Sequence, residues 1–218
     1  IIKQLPQAND PLTAITINSQ FPHRLAHACG ASGARLVHIS TDCVFDGNKG
    51  NYCEMDQSDA ADLYGRTKFL GEVYYPHCVT LRTSIIGHEL RTNSGLVDWF
   101  LSQQQSVNGF VKAIYSGFPT IELAEIIARY VIPDEKMTGL YHVSSDPVSK
   151  YDLLKMVSEC YGKTVEILRS EALAVDRSLD SARFRDHTGY VPPAWPALVE
   201  KMHQDYTKHR EDYHAVIS

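Results

Sequence analysis

The sequence predicts an α/β protein. Segments with apolar residues at helical spacing alternate with short β-branched runs along the 218 residues, and this alternation is typical of α/β architecture. Hydrophobic residues make up 44% of the chain, which is enough to bury a proper core. We therefore expect one compact domain, or one domain with a small additional lobe.

The first half of the chain is predicted to supply two helices and two strands. Apolar residues follow helical spacing from Pro11 to Cys29, although Pro22 lacks a backbone donor and weighs against an unbroken helix there. The elements expected next are a strand at 35–40, a loop to about residue 61, a helix at 62–75 with Asp62 near its N-cap, and a strand at 78–82.

The second half continues the alternation. It contains no repeat, low-complexity tract or long linker. The expected elements are a helix at 95–104, a strand at 109–115, a helix at 120–131, a strand at 139–143, a helix at about 149–161, a strand at 165–168 and two further helical pieces, the last beginning near Trp195.

Composition excludes several classes of function. The net charge is −5 and the basic residues are scattered, so we expect no nucleic-acid partner. No run approaches the roughly 18 apolar residues of a membrane span, and no signal peptide is recognisable, so we expect a cytoplasmic protein without a membrane partner. The five cysteines include no C-x-x-C pair, which favours buried thiols and predicts no metal site.

Two local patterns carry candidate chemistry. Ser40, Thr41 and Asp42 directly follow the RLVHI strand, where hydroxyls can reach a ligand in the crevice of an open sheet. Taken alone, this pattern is weak, and a simple turn capped by Ser40 or Asp42 is the more common explanation. Tyr64 and Lys68 are four residues apart on a predicted helix. They share a face, so the ammonium can lower the pKa of the phenol and suit it to proton donation.

The tyrosine–lysine spacing is not diagnostic alone. Tyr151 and Lys155 repeat it, but no strand ending in hydroxyl residues precedes them at a similar distance. We therefore expect the second pair to be ordinary surface residues of an amphipathic helix.

An ordered series of motifs resembles the extended short-chain dehydrogenases, and within them the dTDP-4-dehydrorhamnose reductase branch. The motifs are STDCVFDG at 40–47, YGRTKFLGE at 64–72, LRTSIIG at 81–87, YSGFPTIELAEII at 115–127, GLYHVSS at 139–145 and RSLDSARFRDHTGYVPPAWPALVEKM at 177–202. The resemblance covers nearly the whole chain, and the series is more specific than any single motif.

The resemblance implies a Rossmann-type doubly wound parallel sheet that holds NADPH or NADH, with a small C-terminal lobe for a nucleotide-sugar substrate. Residues 1–90 would form the C-terminal half of the Rossmann-type domain, with 115–143 returning to it. Residues 91–114 and 144–218 would form the nucleotide-sugar-binding lobe.

The resemblance also implies roles for three catalytic residues. Thr41 would hydrogen-bond the keto oxygen of the sugar, Tyr64 would supply the proton, and Lys68 would bind the cofactor ribose and tune Tyr64. The nicotinamide would supply the hydride, so the protein contributes orientation and electrostatics.

Five further residues match binding positions of the family. Thr83 and Ser84 would lie near the nicotinamide and substrate, with Tyr64 and Lys68 also contacting the cofactor. Val44 and Phe45 would belong to the loop that touches the sugar. Arg177 would approach the nucleotide diphosphate, where a guanidinium fork suits phosphate oxygens, or would form a surface salt bridge.

Two departures from the family pattern stand out. Cys43 replaces a tyrosine that is frequent in the family, which should alter packing more than chemistry. No glycine-rich G-x-x-G-x-x-G loop occurs in the sequence, although such a loop cradles the pyrophosphate of the cofactor. We therefore expect a fragment whose N-terminal half of the cofactor fold is missing, which would bind cofactor poorly alone and expose a strand edge.

The function expected from the resemblance is NAD(P)H-dependent reduction of a 4-keto-6-deoxy nucleotide sugar. The alternatives are an epimerase or dehydratase on the same scaffold, and a non-catalytic regulatory subunit. The choice between NAD and NADP stays open, because the discriminating residue follows an earlier strand of the fold. The sequence does not define the oligomeric state, for which a homodimer is one expectation.

Overall fold

A computed structural model describes residues 3, 5–90 and 95–214. The chain forms two compact units. Unit 1 comprises Ile1–Thr83, Ala128–Val143 and Arg177–Tyr190, and unit 2 comprises Ser84–Ile127, Ser144–Asp176 and Val191–Ser218. The predicted boundaries differ, since they placed 177–190 in the lobe and 84–90 and 115–127 in the cofactor domain. Which ligand each unit binds stays a prediction.

Unit 1 is built on a parallel sheet in the order β1-β2-β6. The strands are β1 (Leu36–Thr41), β2 (Cys78–Thr83) and β6 (Gly139–His142). Every residue of β2 is buried, as expected for the central strand of a parallel sheet. The register pairs Thr41 with Thr83, so the carboxyl ends of β1 and β2 lie side by side.

The first helical region contains a π-helical segment that accommodates Pro22. The region comprises α1 (Pro11–Ala14), the π segment (Ile15–Gln20) and α2 (Phe21–Ala31). Proline has no N–H for the carbonyl four residues earlier, and the wider turn places it in the first turn of α2, where the Phe21 amide donates to the Thr16 carbonyl. The predicted helix is thus present, with a local change of pitch at its proline.

Helix α3 (Leu63–Leu70) is shorter than the predicted 62–75. Its turns close at Gly71, whose amide donates to the Lys68 carbonyl at 3.2 Å. A Cβ on Gly71 would overlap the carbonyl oxygen of Asn18, so the chain passes close to the π segment there. This long-range packing ends the helix. The last helix of unit 1 is α7 (Ala182–Thr188).

Unit 2 contains a sheet in the order β7-β4-β8 and a two-stranded β3-β5 sheet. The strands are β3 (Ile85–Ile86), β4 (Val107–Tyr115), β5 (Phe118–Pro119), β7 (Val148–Ser149) and β8 (Ile167–Asp176). The helices are α4 (Leu96–Ser102), α5 (Thr120–Ile126), α6 (Lys150–Tyr161), α8 (Trp195–Lys208) and α9 (Arg210–His214). A π-helical segment, Ile127–Val131, follows α5.

Strand β8 extends well beyond the predicted 165–168. It pairs in parallel with β4 through residue 176, with an irregularity opposite 110–112. Most of its side chains are exposed, because it is an edge strand with an open face. Its second half contains the apolar run ALAV at 172–175, which the sequence analysis did not assign to a strand.

Two features are absent from the part of the chain that the structure describes. No helix there has both the length and the apolar character needed to cross a membrane. No group of three or more histidine, cysteine or acidic side chains could hold a metal ion. All five cysteines are free thiols.

Candidate active site

Thr41 ends β1 and is held in place by the turn that follows. The 3₁₀ turn Asp42–Val44 uses the Thr41 side chain as its N-cap, and Thr41 Oγ1 accepts a hydrogen bond from the Cys43 amide at 3.1 Å. The same hydroxyl donates to Asp42 Oδ1 at 3.2 Å. The hydroxyl is therefore fixed at the carboxyl edge of the sheet, where the sequence places it.

Tyr64 lies in the first turn of α3, next to Thr41. The Asp62 carboxylate caps the helix by accepting from the Gly65 amide at 2.7 Å. A Cβ on Gly65 would overlap the Cys43 carbonyl oxygen and lie 2.5 Å from Ala60 Cβ. Glycine thus lets the start of α3 approach the turn after β1 closely, and this brings Tyr64 near the Thr41 hydroxyl, which influences the pKa of the phenol.

The electrostatics of Tyr64 differ from the expectation. Burial is the largest influence and raises the pKa of Tyr64 above its usual value, Cys43 raises it further, and the nearby Thr41 hydroxyl lowers it only in part. Desolvation of the phenol outweighs the favourable contacts in this structure, and the tuning of Tyr64 by Lys68 stays a prediction.

Lys68 contacts the strand that carries Thr41. Its Nζ donates to the Ile39 carbonyl at 2.9 Å. Burial lowers the pKa of Lys68, while the charge of Glu72 raises it in part. The ammonium therefore stands one helical turn beyond Tyr64 and is anchored to β1.

Thr83 and Ser84 fall at the boundary between the two units. Thr83 ends β2 directly opposite Thr41 and is buried. Ser84 begins unit 2, where its carbonyl accepts from the Phe118 amide at 2.9 Å. The cofactor contacts expected for both residues stay predictions.

Val44 and Phe45 are core residues in this structure. Both are 0% exposed and pack in a cluster with Tyr52 and Leu179. The Phe45 ring stacks on Tyr52 with centroids 4.1 Å apart, and the Arg82 guanidinium lies 5.2 Å from its centre. The sugar contact expected of these two residues stays a prediction, and it would require the loop to rearrange.

Arg177 contacts the main chain of the same loop. Its Nε donates to the Phe45 carbonyl at 2.7 Å and its Nη2 to the Asp46 carbonyl at 3.1 Å. The expected diphosphate contact stays a prediction, and the structure adds a role that the sequence did not suggest.

The sequence did not predict a buried polar network that includes Ser40, the residue before Thr41. The Glu72 carboxylate forms a bidentate ion pair with Arg82, through Nε and Nη2 at 2.7 Å each, and it also accepts from Ser40 Oγ at 2.7 Å. Arg82 Nη1 lies 3.3 Å from His142 Nε2. The available signal was the charge of Arg82 inside β2, whose other residues are uncharged.

Three further polar side chains were also missed. Asn18 Nδ2 donates to Thr67 Oγ1 at 3.4 Å, and Ser19 Oγ donates to the Thr67 carbonyl at 2.8 Å, so the π segment holds the middle of α3. His38 Nε2 is buried without a hydrogen-bond partner among the described residues, and burial lowers the pKa of His38 to about 4. No local sequence motif predicts the environment of these side chains.

The second tyrosine–lysine pair has a different environment. Lys155 Nζ lies 6.0 Å from the ring centre of Tyr151, and the Arg169 guanidinium lies 4.7 Å from it. Tyr151 therefore packs between cationic side chains in unit 2, as a structural residue would.

The parallel sheet, the hydroxyl at the end of β1 and the tyrosine–lysine helix together define the extended short-chain dehydrogenase type of fold. The family described as RmlD substrate binding domain matches residues 7–208, and the chain belongs to that family. This confirms the predicted resemblance and fold class.

Two curated relatives are similar to the chain. The dTDP-4-dehydrorhamnose reductase of Aggregatibacter actinomycetemcomitans is 30% identical over 151 residues, which cover 64% of this chain and 51% of that protein. Methionine adenosyltransferase 2 subunit beta of Danio rerio is 28% identical over 153 residues, which cover 62% of this chain and 47% of that protein. The chain thus spans about half the length of these relatives.

A solved structure has the same fold. The dTDP-4-dehydrorhamnose reductase from Bacillus anthracis, in complex with NADP, superposes with a TM-score of 0.79 at 22% identity, covering 94% of this chain and 78% of that chain. At this identity the likeness shows the fold alone.

Proposed function

We propose that the protein containing this chain is an NAD(P)-dependent reductase of a nucleotide sugar, with a 4-keto-6-deoxy sugar nucleotide as substrate. The observation that carries the proposal is the grouping of Thr41, Tyr64 and Lys68: the start of α3 packs on the turn after Thr41 at Gly65, and Lys68 Nζ donates to the Ile39 carbonyl of β1. The family and the reductase relatives support it. Epimerisation or dehydration on the same scaffold is the nearest variant.

The donors around the site suit part of a nicotinamide cofactor. Lys68 has an ammonium with three donors, of which one contacts the Ile39 carbonyl, so two can serve ribose hydroxyls. Thr83 and Ser84 would serve the nicotinamide end. The cofactor would supply a hydride. We assign no residue to its pyrophosphate, since the glycine-rich loop does not occur in the sequence.

The raised pKa of Tyr64 is compatible with proton donation. It keeps the phenol protonated at neutral pH, which is the form that a general acid needs. Thr41 would orient the substrate carbonyl beside the phenol Oη, and the Lys68 ammonium would stabilise the phenolate as the proton leaves. The chain's own contribution is thus one proton, one orienting hydroxyl and one fixed positive charge.

A non-catalytic role is the second candidate function. It is favoured by the 28% identity with methionine adenosyltransferase 2 subunit beta, a protein named as a subunit. Such a protein would need no proton donor. This reading predicts little turnover with sugar nucleotides and no effect of changes at Tyr64.

Turnover measured with the full-length protein distinguishes the reductase from the non-catalytic subunit. With NADPH and a dTDP-4-keto-6-deoxy sugar, loss of the absorbance of the reduced nicotinamide measures the rate. Tyr64→Phe should lower kcat about 10²- to 10⁴-fold, the usual contribution of a general acid. Tyr151→Phe is the matched control and should leave the rate unchanged. Equal rates for Tyr64→Phe and the unsubstituted protein would refute the role of Tyr64.

A further inference from the structure

A short segment of unit 1 holds the loop that follows β1. We call Arg177–Asp180 the clamp. The Tyr52 amide donates to the Ser178 carbonyl at 2.8 Å, and the Asp180 amide donates to the Tyr52 carbonyl at 2.7 Å. Tyr52 and Leu179 thereby form an isolated parallel bridge. The clamp thus fixes the far end of the loop by main-chain hydrogen bonds.

Arg177, the first residue of the clamp, contacts the other end of the loop, next to the candidate active site. Its Nε and Nη2 form one edge of the guanidinium fork, and both donate to consecutive carbonyls, those of Phe45 and Asp46. That edge is one of the two by which arginine can bind a phosphate in bidentate fashion. In this structure it is occupied by the protein's own main chain.

The guanidinium also influences the start of α3. The pKa of the Asp62 carboxyl, the N-cap of α3, is lowered: burial raises it, but the Gly65 amide, Lys3 and Arg177 outweigh that effect. The turn after Thr41 packs directly on the start of α3, where a Cβ on Gly65 would overlap the Cys43 carbonyl oxygen, so a contact that holds this turn also holds its packing on the helix of Tyr64.

We propose that Arg177 is a positioning residue, which braces the turn of Thr41 and Cys43 against the start of α3, and not a ligand of the substrate diphosphate. Phe45 follows that turn directly, so a displaced Phe45 carbonyl displaces the cap on Thr41. The kinetic part of this inference rests on the proposed function. The structural part does not.

The structural part is tested by the reactivity of Cys43, a half-buried thiol in the braced turn. Burial raises the pKa of Cys43 to about 11, so alkylation should be slow. The charge of Arg177 also lowers the pKa of Cys43, so the rate of alkylation is compared per thiolate, from its pH dependence in each protein. On that basis Arg177→Gln should accelerate alkylation of Cys43 about tenfold, as loss of one to two hydrogen bonds predicts for local opening. Peptide mass spectrometry measures the rate, with Cys29 in α2 as the internal reference. An unchanged rate at Cys43 in a folded variant would overturn the proposal.

The matched control is Arg183→Gln. Arg183 is exposed in the same unit and its guanidinium lies over the Tyr141 ring at 4.6 Å, away from the loop contacts of Arg177. This variant should alkylate at the original rate. Thermal unfolding of both variants shows whether a faster reaction at Cys43 reflects local opening or general loss of structure, and a rise at Cys29 equal to that at Cys43 would count against the brace.

The kinetic part separates positioning from diphosphate binding. Arg177→Gln should lower kcat about tenfold or more, because small displacements of reacting groups are costly, while the dissociation constant of free dTDP stays within about twofold. Arg177→Lys keeps one donor and should recover part of kcat. A tenfold weaker binding of dTDP would overturn the proposal. If the unsubstituted protein shows no turnover, the proposed function fails, and the Cys43 measurement still decides the brace.

Discussion

Replacing Glu72 by glutamine should destabilise unit 1 strongly, although the side chains have nearly the same shape. Glu72 and Arg82 form a buried ion pair, with side chains 0% and 3% exposed. One carboxylate oxygen accepts from Ser40 and Arg82 Nε, and the other accepts from Tyr74 and Arg82 Nη2. Both oxygens face donors only.

The magnitude follows from this geometry. Glutamine presents one NH₂ group, so in either orientation it places a donor against two donors, and it leaves the Arg82 charge buried without its counter-ion. Breaking a buried pair by removing one charge costs about 3–5 kcal/mol. For a chain of this size each kcal/mol corresponds to roughly 2–4 °C, so the melting temperature should fall by about 6–20 °C.

Thermal unfolding followed by far-UV circular dichroism measures the effect. Glu171→Gln is the control, because the Glu171–Lys112 pair in unit 2 is exposed at 68% and 55% and should contribute less than about 1 kcal/mol. The double variant Glu72→Leu with Arg82→Met should recover most of the loss, since it leaves no charge behind. If Glu72→Gln melts within about 2 °C of Glu171→Gln, the ion pair does not stabilise the fold as argued.

Two further predictions concern the same unit. Gly65→Ala should cost about 1–3 kcal/mol of unfolding free energy through overpacking against Cys43, and should lower kcat about 10²-fold by moving Tyr64 away from Thr41; unchanged kcat would show that the close approach is not needed. Burial lowers the pKa of His142 from 6.5 to about 4, so between those pH values the unfolded chain binds a proton that the folded chain does not, and stability should fall as the pH is lowered. His142→Gln should remove this dependence, so that its unfolding free energy changes by on the order of 3 kcal/mol less than that of the unsubstituted protein between the two pKa values. An equal slope of unfolding free energy against pH in the variant and the unsubstituted protein would contradict this.

The parts of the fold and site that depend on local periodicity were predictable. The strand that ends at Thr41 and the helix that carries Tyr64 and Lys68 are at the expected positions. Strand ends and residues four apart on a helix have positions set by backbone geometry alone. That is why their neighbourhood could be anticipated without coordinates.

The parts that depend on distant contacts were not predictable. Helix α3 ends at Leu70 because the chain at Gly71 packs on Asn18, a residue 53 positions earlier. The direction of the Tyr64 pKa shift depends on burial by the whole unit. The main-chain contacts of Arg177 cross more than 130 residues of sequence. None of these has a signature within a window of neighbouring residues.

The two tyrosine–lysine pairs show why spacing alone does not define a site. In α6 the lysine lies over the ring of its own tyrosine. In α3 the lysine instead reaches the Ile39 carbonyl, because glycines near both ends of that helix let it lie close to β1 and the π segment. The difference between an ordinary helix and a candidate proton donor therefore resides in the backbone approaches at Gly65 and Gly71, which bring the helix to the strand that carries Thr41.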